Sequence, residues 1–119
     1  MVYFITGRAG AGKTTYAKKL KAELIADGRR VVILDGDDIR DTMNNNEFDD
    51  ESVKYHILTT AAYASIIERQ YITVIISMIA PKRKWREAAI KMFDKCQEIY
   101  IPGGSMWPGT EYEEPEVGE

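Results

Sequence analysis

Short apolar runs alternate with longer stretches in which apolar residues recur at helical spacing. The apolar runs occupy residues 2–6, 31–34, 72–77 and 98–101, and such runs are typical of strands buried on both faces of a sheet. Helical spacing extends from about residue 13 to 27, from 51 to 69 and from 81 to 95. This order of strands and helices predicts an α/β fold, a small parallel sheet of about four strands with helices on both faces.

The ends of these elements carry ordinary stop and start signals. Asp27 and Gly28 end the first helix, and Pro81 begins the last one. After the second strand, the sequence LDGDDIR leads into a polar turn at residues 44–50, and no helix is predicted there. Residues 1–101 are therefore expected to form one core, and residues 102–119, rich in Gly, Pro and Glu, a C-terminal loop or tail.

Composition narrows the classes of protein that the chain can belong to. Its 119 residues, 45% hydrophobic and 29% charged, fit one small globular domain. The apolar runs are too short to cross a bilayer, and the N-terminus has no basic segment of a signal peptide. A single cysteine, Cys96, excludes an internal disulfide and favours a reducing, cytoplasmic setting; we interpret it as a structural thiol.

The charge is unevenly distributed along the chain. Residues 102–119 hold five glutamates and no Lys or Arg, so the preceding 101 residues carry a net charge of +2 against −3 for the whole chain. The overall balance gives no general reason to bind nucleic acid.

A glycine-rich segment after the first strand carries the strongest chemical signal. Residues 7–14 read G-x-x-x-x-G-K-T between a predicted strand and a predicted helix, which is the phosphate loop of P-loop NTPases. Its backbone amides and the helix N-terminus bind phosphate, Lys13 reaches the β- and γ-phosphates, and the Thr14 hydroxyl holds Mg²⁺. The predicted nucleotide-binding residues are Gly7, Arg8, Ala9, Gly10, Ala11, Gly12, Lys13, Thr14 and Thr15.

Carboxylates follow the second strand. In open α/β sheets ligands bind at the carboxyl ends of the strands, so Asp35 and Asp37 should share a crevice with the phosphate loop. A carboxylate there can take a proton from an attacking hydroxyl or hold Mg²⁺. Asp38 is instead predicted to cap the following helix.

Four cations fall in the first turns of the last helix, in the sequence P81-K-R-K-W-R86. They oppose the helix dipole, which favours acids at that end. This placement favours a phosphate-bearing ligand near Lys82 or Arg86, and the alternative is a solvated charged face.

Taken together, these segments resemble the adenylylsulphate kinase (APS kinase) family of P-loop kinases. The resemblance rests on LDGD-x-x-R with Asp35, Asp37 and Arg40, and on S-x-x-x-P-x-x-x-x-R from Ser77 to Arg86. Phe48 ahead of a long helix, the strand QEIYI and the late segment PGTEYEEPE extend it over most of the chain.

The resemblance implies a kinase that uses ATP and Mg²⁺ to phosphorylate the 3′-hydroxyl of adenosine 5′-phosphosulphate. It implies catalytic roles for Lys13, Asp35 and Asp37, and metal binding by Thr14 and Asp35. The implied substrate residues are Arg40, Phe48, Ser77 and Arg86. Phe48 would stack on the substrate base, although an apolar anchor for its loop is the alternative.

Three departures from the family pattern concern the substrate side. Val53 and His56 occupy positions where the family has an arginine and an asparagine; the histidine is predicted to be a surface residue. Only residues 102–107 separate the fourth strand from the late segment, where the family has a basic lid. The sequence also stops before the family's last helix, so the chain is expected to be a shortened form that lacks the lid.

Two alternatives to this interpretation stay open: a kinase acting on a nucleic-acid hydroxyl, and a catalytically reduced ATP-binding module. A small nucleotide-like substrate is the favoured partner, no membrane is expected, and a homodimer is one candidate for the assembly. Trp107 and Tyr112 are predicted either to fold back over the adenine or to lie in a disordered tail.

Overall fold

The computed structural model describes residues 1–115. The four strands are β1 Val2–Thr6, β2 Val31–Asp35, β3 Thr73–Met78 and β4 Cys96–Tyr100. The helices are α1 Lys13–Ala26, α2 Gly36–Thr42, α3 Asp50–Glu68 and α4 Arg83–Ile90. All four predicted strands and three predicted helices are present, and α2 is additional.

The strands form one parallel sheet in the order β2-β3-β1-β4. The central strands β1 and β3 carry the fully buried apolar residues, whereas every residue of the edge strand β2 is only half-buried. The predicted α/β fold with a small parallel sheet is therefore confirmed. The register aligns Asp35 with Ser77 and Ile5 with Ser77, which brings the ends of three strands to one edge.

Alternate residues of the strands supply two cores. Val74 and Ile76 face α3 and α4 in the larger core, together with Trp85. Ile5 and Ile75 face α1 in the smaller core, where they contact Ala17 and Leu24. Helices thus cover both faces of the sheet, as the alternating order requires.

Helix α2 was not predicted, and its cause is the Asp35 side chain. Asp35 is the N-cap, and its Oδ1 accepts a hydrogen bond of 2.9 Å from the amide of Asp37. The capping role predicted for Asp38 is therefore wrong. The next helix, α3, is capped by Asp49, which accepts from the amide and hydroxyl of Ser52.

Helix α4 is shorter than the predicted 81–95, because it begins at Arg83 and ends at Ile90. The amides of Met92 and Phe93 bond to the carbonyls of Ala89 and Ile90 in a turn. That turn places Phe93 in the larger core, edge-on to Phe4 with ring centroids 6.3 Å apart.

The segment after β4 packs against the core instead of forming a disordered tail. We call residues 105–114 the strap. Ser105 exchanges two backbone hydrogen bonds of 3.0 and 2.9 Å with Ala9, and the amide of Glu113 donates to the carbonyl of Pro81 at 2.7 Å. Tyr112 is buried. The division of the chain at residue 101 into core and tail stays a prediction, and residues 116–119 lie outside the described part.

Within the described residues, none of the helices has the length and apolar character needed to cross a membrane.

Candidate active site

One cavity of about 410 Å³ opens at the carboxyl ends of the strands. It is lined by five parts of the chain: the phosphate loop with the start of α1, the end of β2 with α2, Phe48 with the start of α3, the end of β3, and the strap. Its lining residues are Ala9, Gly10, Gly12, Lys13, Thr14, Thr15, Asp35, Gly36, Asp37, Arg40, Phe48, Val53, His56, Ser77, Met78, Ile79 and Trp107. Most residues predicted from the motifs are therefore brought together at one site.

The phosphate loop presents hydrogen-bond donors and one cation to this cavity. Gly12 is the N-cap of α1 and offers no side-chain acceptor, so the first amides of the helix are left for an anion. The Lys13 ammonium donates to the carbonyl of Arg8 at 2.7 Å. Burial lowers the pKa of Lys13, while the charges of Asp37 and Asp35 oppose that shift.

Three predicted nucleotide-binding residues, Gly7, Arg8 and Ala11, lie outside the cavity lining. A side chain at Gly7 would place its Cβ 2.5 Å from the carbonyl oxygen of Ile101, so this glycine allows the loop to pack on the end of β4. The Arg8 side chain is directed to Tyr100 and Glu114. Gly7 and Arg8 therefore connect the phosphate loop to the segment that begins at the end of β4.

Carboxylate and hydroxyl oxygens meet where β2 ends. The Thr14 hydroxyl donates to Asp35 Oδ2 at 3.2 Å, while Asp35 Oδ1 is used in capping α2. Asp37 lies within electrostatic reach of Lys13 and of Arg40. The second strand therefore brings both acids to the phosphate loop, as the strand order predicts.

The opposite wall of the cavity is aromatic. Phe48 is 53% exposed, and its ring packs on Trp107 of the strap with centroids 5.3 Å apart. The Arg40 guanidinium lies 4.6 Å from the Phe48 ring centroid and donates to the carbonyl of Glu47 at 2.9 Å. These contacts hold the 43–48 loop and leave aromatic surface facing the cavity.

His56 is buried rather than on the surface, so that prediction is wrong. Its side chain lines the cavity with only 3% of the residue exposed, and Nδ1 has no hydrogen-bond partner among the described residues. Burial and then the charge of Arg40 lower the pKa of His56 to about 4. The imidazole is therefore neutral at neutral pH, and its Nδ1 is enclosed by protein without a hydrogen-bond partner among the described residues.

Ser77 and Val53 complete the floor of the cavity. Ser77 lies near the end of β3 and is buried, as is Val53 on the first turn of α3. Val53 also belongs to the larger core. Ser77 therefore occupies the predicted site, and Val53 gives the substrate side an apolar contact.

Arg86 lies outside the cavity lining, which does not agree with its prediction as a substrate residue. It is 3% exposed, and its guanidinium donates to the carbonyls of Ala80 at 2.6 Å and Glu113 at 2.5 Å. Lys82 pairs with Asp50 at 3.6 Å, and Arg83 donates to the carbonyl of Glu114. Arg83 and Arg86 thus hold the strap, whereas Lys82 pairs with the first residue of α3.

A larger depression of about 880 Å³ lies at the other end of the sheet, around Met1, Glu68 and Lys95. The Glu68 carboxylate already accepts from the amides of Asp94 and Lys95 and pairs with the N-terminal ammonium at 2.8 Å. This depression is far from the phosphate loop and lacks its donors, so the smaller cavity is the candidate active site.

Comparison with known proteins agrees with this geometry. The family model for adenylylsulphate kinase matches residues 1–104. The chain belongs to the adenylylsulphate kinase family.

Individual relatives show how much of the family fold the chain represents. A probable adenylyl-sulphate kinase of Archaeoglobus fulgidus is 40% identical over 100 residues, which cover 83% of this chain and 64% of the relative. A hexameric APS kinase from Thiobacillus denitrificans has a TM-score of 0.74 at 32% identity, covering 83% of this chain and 21% of that one. The chain therefore spans less than two thirds of either protein.

A more distant structure shows the same fold. The Mycobacterium tuberculosis APS kinase in complex with AMPPNP and APS has a TM-score of 0.79 at 22% identity, covering 85% of this chain and 61% of that chain.

Proposed function

We propose that this chain is an ATP-dependent kinase that transfers the γ-phosphate to a hydroxyl of a nucleotide-like acceptor, as adenylylsulphate kinases do. One observation carries the proposal: a single cavity has a phosphate loop on one wall, an aromatic acceptor surface on the other and two carboxylates between them. Such a cavity holds donor and acceptor together, which supplies much of the catalysis in phosphoryl transfer.

The donor side suits a nucleoside triphosphate with a divalent cation. Lys13 and the amides at the start of α1 would neutralise the β- and γ-phosphates. Thr14 and Asp35 would hold Mg²⁺, because their oxygens lie 3.2 Å apart beside the phosphate loop and Mg²⁺ is usually bound by few protein oxygens plus phosphate. The bound ion would supply charge neutralisation on the transferred group.

The two carboxylates, Asp35 and Asp37, would have different roles. Asp35 already accepts hydrogen bonds from Thr14 and from the amide of Asp37, so it is held in position for the metal side. The charge of Asp37 acts on Arg40, the cation on the acceptor side. Asp37 is therefore the candidate to accept the proton of the attacking hydroxyl.

The acceptor side favours a flat aromatic group. Phe48 and Trp107 offer ring faces, Arg40 offers a positive charge, and His56 adds an uncharged imidazole to the lining. Of the described residues that line the cavity, Lys13 and Arg40 are the cations. This set fits a nucleotide base with a limited negative charge, and adenosine 5′-phosphosulphate is the first acceptor to test.

The test is transfer of label from [γ-³²P]ATP to a panel of acceptors that includes adenosine 5′-phosphosulphate, nucleosides and other nucleotides. We expect transfer to at least one nucleotide-like acceptor. Lys13→Ala should lower kcat/KM by about 10²–10³-fold, the cost of removing one preorganised charge at the transferring group.

Lys18→Ala is the matched control, because Lys18 is an exposed lysine on the same helix; its kcat/KM should equal that of the wild type. ATP binding without label transfer to any acceptor would contradict the kinase proposal and favour an ATP-binding module.

A further inference from the structure

The strap connects the phosphate loop to the aromatic wall of the cavity. At one end, Ser105 is bonded to Ala9 in the loop. In the middle, Trp107 packs on Phe48. At the other end, Glu113 accepts from the amide of Arg83 at 2.9 Å and receives Arg86 on its carbonyl.

Close backbone contact makes the first of these connections tight. Gly104 has φ of 74°, and a Cβ there would lie 2.4 Å from the carbonyl oxygen of Ala9 and 3.1 Å from Arg8 Cβ. Only glycine allows the chain to approach the phosphate loop this closely.

Arg8 adds a charged link between the loop and the strap. Its guanidinium donates to the Tyr100 hydroxyl at 2.6 Å and pairs with Glu114 Oε1 at 3.0 Å. It also lies 5.1 Å from the ring centroid of Tyr112. Burial alone would lower the pKa of Arg8, but the hydrogen bonds to Glu114 and Tyr100 raise it.

The main chain of the same arginine positions the catalytic lysine. The Arg8 carbonyl accepts from the Lys13 ammonium at 2.7 Å. Contacts that hold the Arg8 side chain therefore also hold the carbonyl that positions the lysine. We propose that Arg8 and Glu114 are positioning residues, whose ion pair holds the phosphate loop in its triphosphate-binding conformation and thereby couples the loop to the strap. The proposal rests on the proposed function, since it requires a triphosphate in this loop.

Binding of the triphosphate and of the acceptor should be coupled, because the strap contacts the phosphate loop through Glu114 and lines the acceptor side through Trp107. A triphosphate that orders the loop also orders Arg8, Glu114 and the strap behind them, and the strap presents Trp107 to the acceptor. Two sites that stabilise the same segment favour each other's occupation.

The experiment is a double-mutant cycle on AMPPNP–Mg²⁺ binding, measured by isothermal titration calorimetry for wild type, Arg8→Gln, Glu114→Gln and the double variant. Each single variant should bind about three- to tenfold more weakly, as expected for a charged hydrogen-bonding partner. The double variant should bind about as weakly as one single variant, because both remove the same pair. Glu111→Gln, which removes an exposed charge from the same strap, should bind as tightly as the wild type.

A second measurement uses the wild-type chain and does not depend on how the variants fold. A glutamate-specific protease should cleave the strap, and AMPPNP should slow that cleavage. Absence of protection, unchanged affinity in either single variant, or losses that multiply in the double variant would overturn the inference. Failure of the wild type to bind AMPPNP would instead contradict the proposed function.

Discussion

At the residue scale, His56 combines burial with an unused nitrogen. A buried polar atom without a partner costs free energy, and Nδ1 of His56 is such an atom within the described residues. The side chain lines the cavity, but Nδ1 itself is enclosed by protein. We therefore expect this unpartnered nitrogen to lower the free energy of unfolding.

The same residue should make stability depend on pH. His56 is the chain's only histidine, and its pKa is lowered from 6.5 to about 4 in the folded chain. Between these values the unfolded chain binds a proton that the folded chain does not, so the free energy of unfolding should fall as pH decreases, by up to about 1.4 kcal/mol per pH unit. Urea unfolding of wild type and His56→Asn across pH 4–7 checks this.

The His56→Asn variant should lose that part of the pH dependence while keeping the contribution of the carboxylates. Equal slopes for the two proteins across this range would show that His56 titrates normally and would contradict its burial as a neutral group.

Motif residues could be predicted from sequence, whereas His56 could not. Asp35 and Ser77 lie at the carboxyl ends of their strands, and Lys13 belongs to a motif of fixed spacing after the first strand, so their shared site follows from the order of the elements. A lone polar residue on a helix is usually predicted to be exposed to solvent. His56 is buried instead, and Gly36 packs close to its Nε2. The relevant neighbour lies in α2, a helix that the pattern did not indicate.

At the element scale, α2 depends on one cap and one close approach. Asp35 supplies the cap, and Gly36 begins the helix against β3. A Cβ at Gly36 would lie 2.9 Å from Met78 Cβ and 3.3 Å from His56 Nε2. The helix therefore carries Asp37 and Arg40 to the cavity only while residue 36 has no side chain.

Gly36→Ala should thus move α2 outward. Overpacking of this kind costs about 1–3 kcal/mol, and the shift should also reduce phosphoryl transfer because Asp37 moves with the helix. Thermal unfolding and the label-transfer assay measure the two effects. Asp41→Ala, at an exposed position of the same helix, should change neither; if Gly36→Ala behaved like it, the close approach would not constrain the site.

Helix α2 escaped prediction because seven residues give too little periodicity, and its polar composition resembles a turn. The opposite error occurred at α4, where the apolar residues after Ile90 continue the pattern but belong to a turn. Strands were predicted more accurately, since continuous apolar runs leave few alternatives in an α/β chain.

At the scale of the whole molecule, Glu68 ties together segments far apart in sequence. From the end of α3 its carboxylate binds the N-terminal ammonium at 2.8 Å and the amides of Asp94 and Lys95. Burial would raise the pKa of Glu68, but these hydrogen bonds and the ammonium lower it below its usual value.

Glu68→Gln should lower the free energy of unfolding by about 1–3 kcal/mol at neutral pH, because the buried donors lose a charged acceptor. The sign follows from the lowered pKa: the stabilisation is present above the ordinary glutamate value of 4.5 and is lost as pH falls through the lower folded value. Urea unfolding at pH 7 and pH 3 should show a difference that narrows in acid.

Glu23→Gln, an exposed substitution on α1, should leave stability unchanged at both values. A Glu68→Gln variant as stable as this control at pH 7 would contradict the contribution of the buried carboxylate.

The one cysteine gives the molecule a built-in chemical reporter. Cys96 begins β4, and burial, with the charges of Glu98 and Glu68, raises its pKa to about 12. The folded chain therefore keeps the sulphur protonated and slow to alkylate at neutral pH. Detachment of β4 from β1 would restore an ordinary thiol, so opening of this edge of the sheet should speed maleimide labelling of the half-buried Cys96, with no engineered probe.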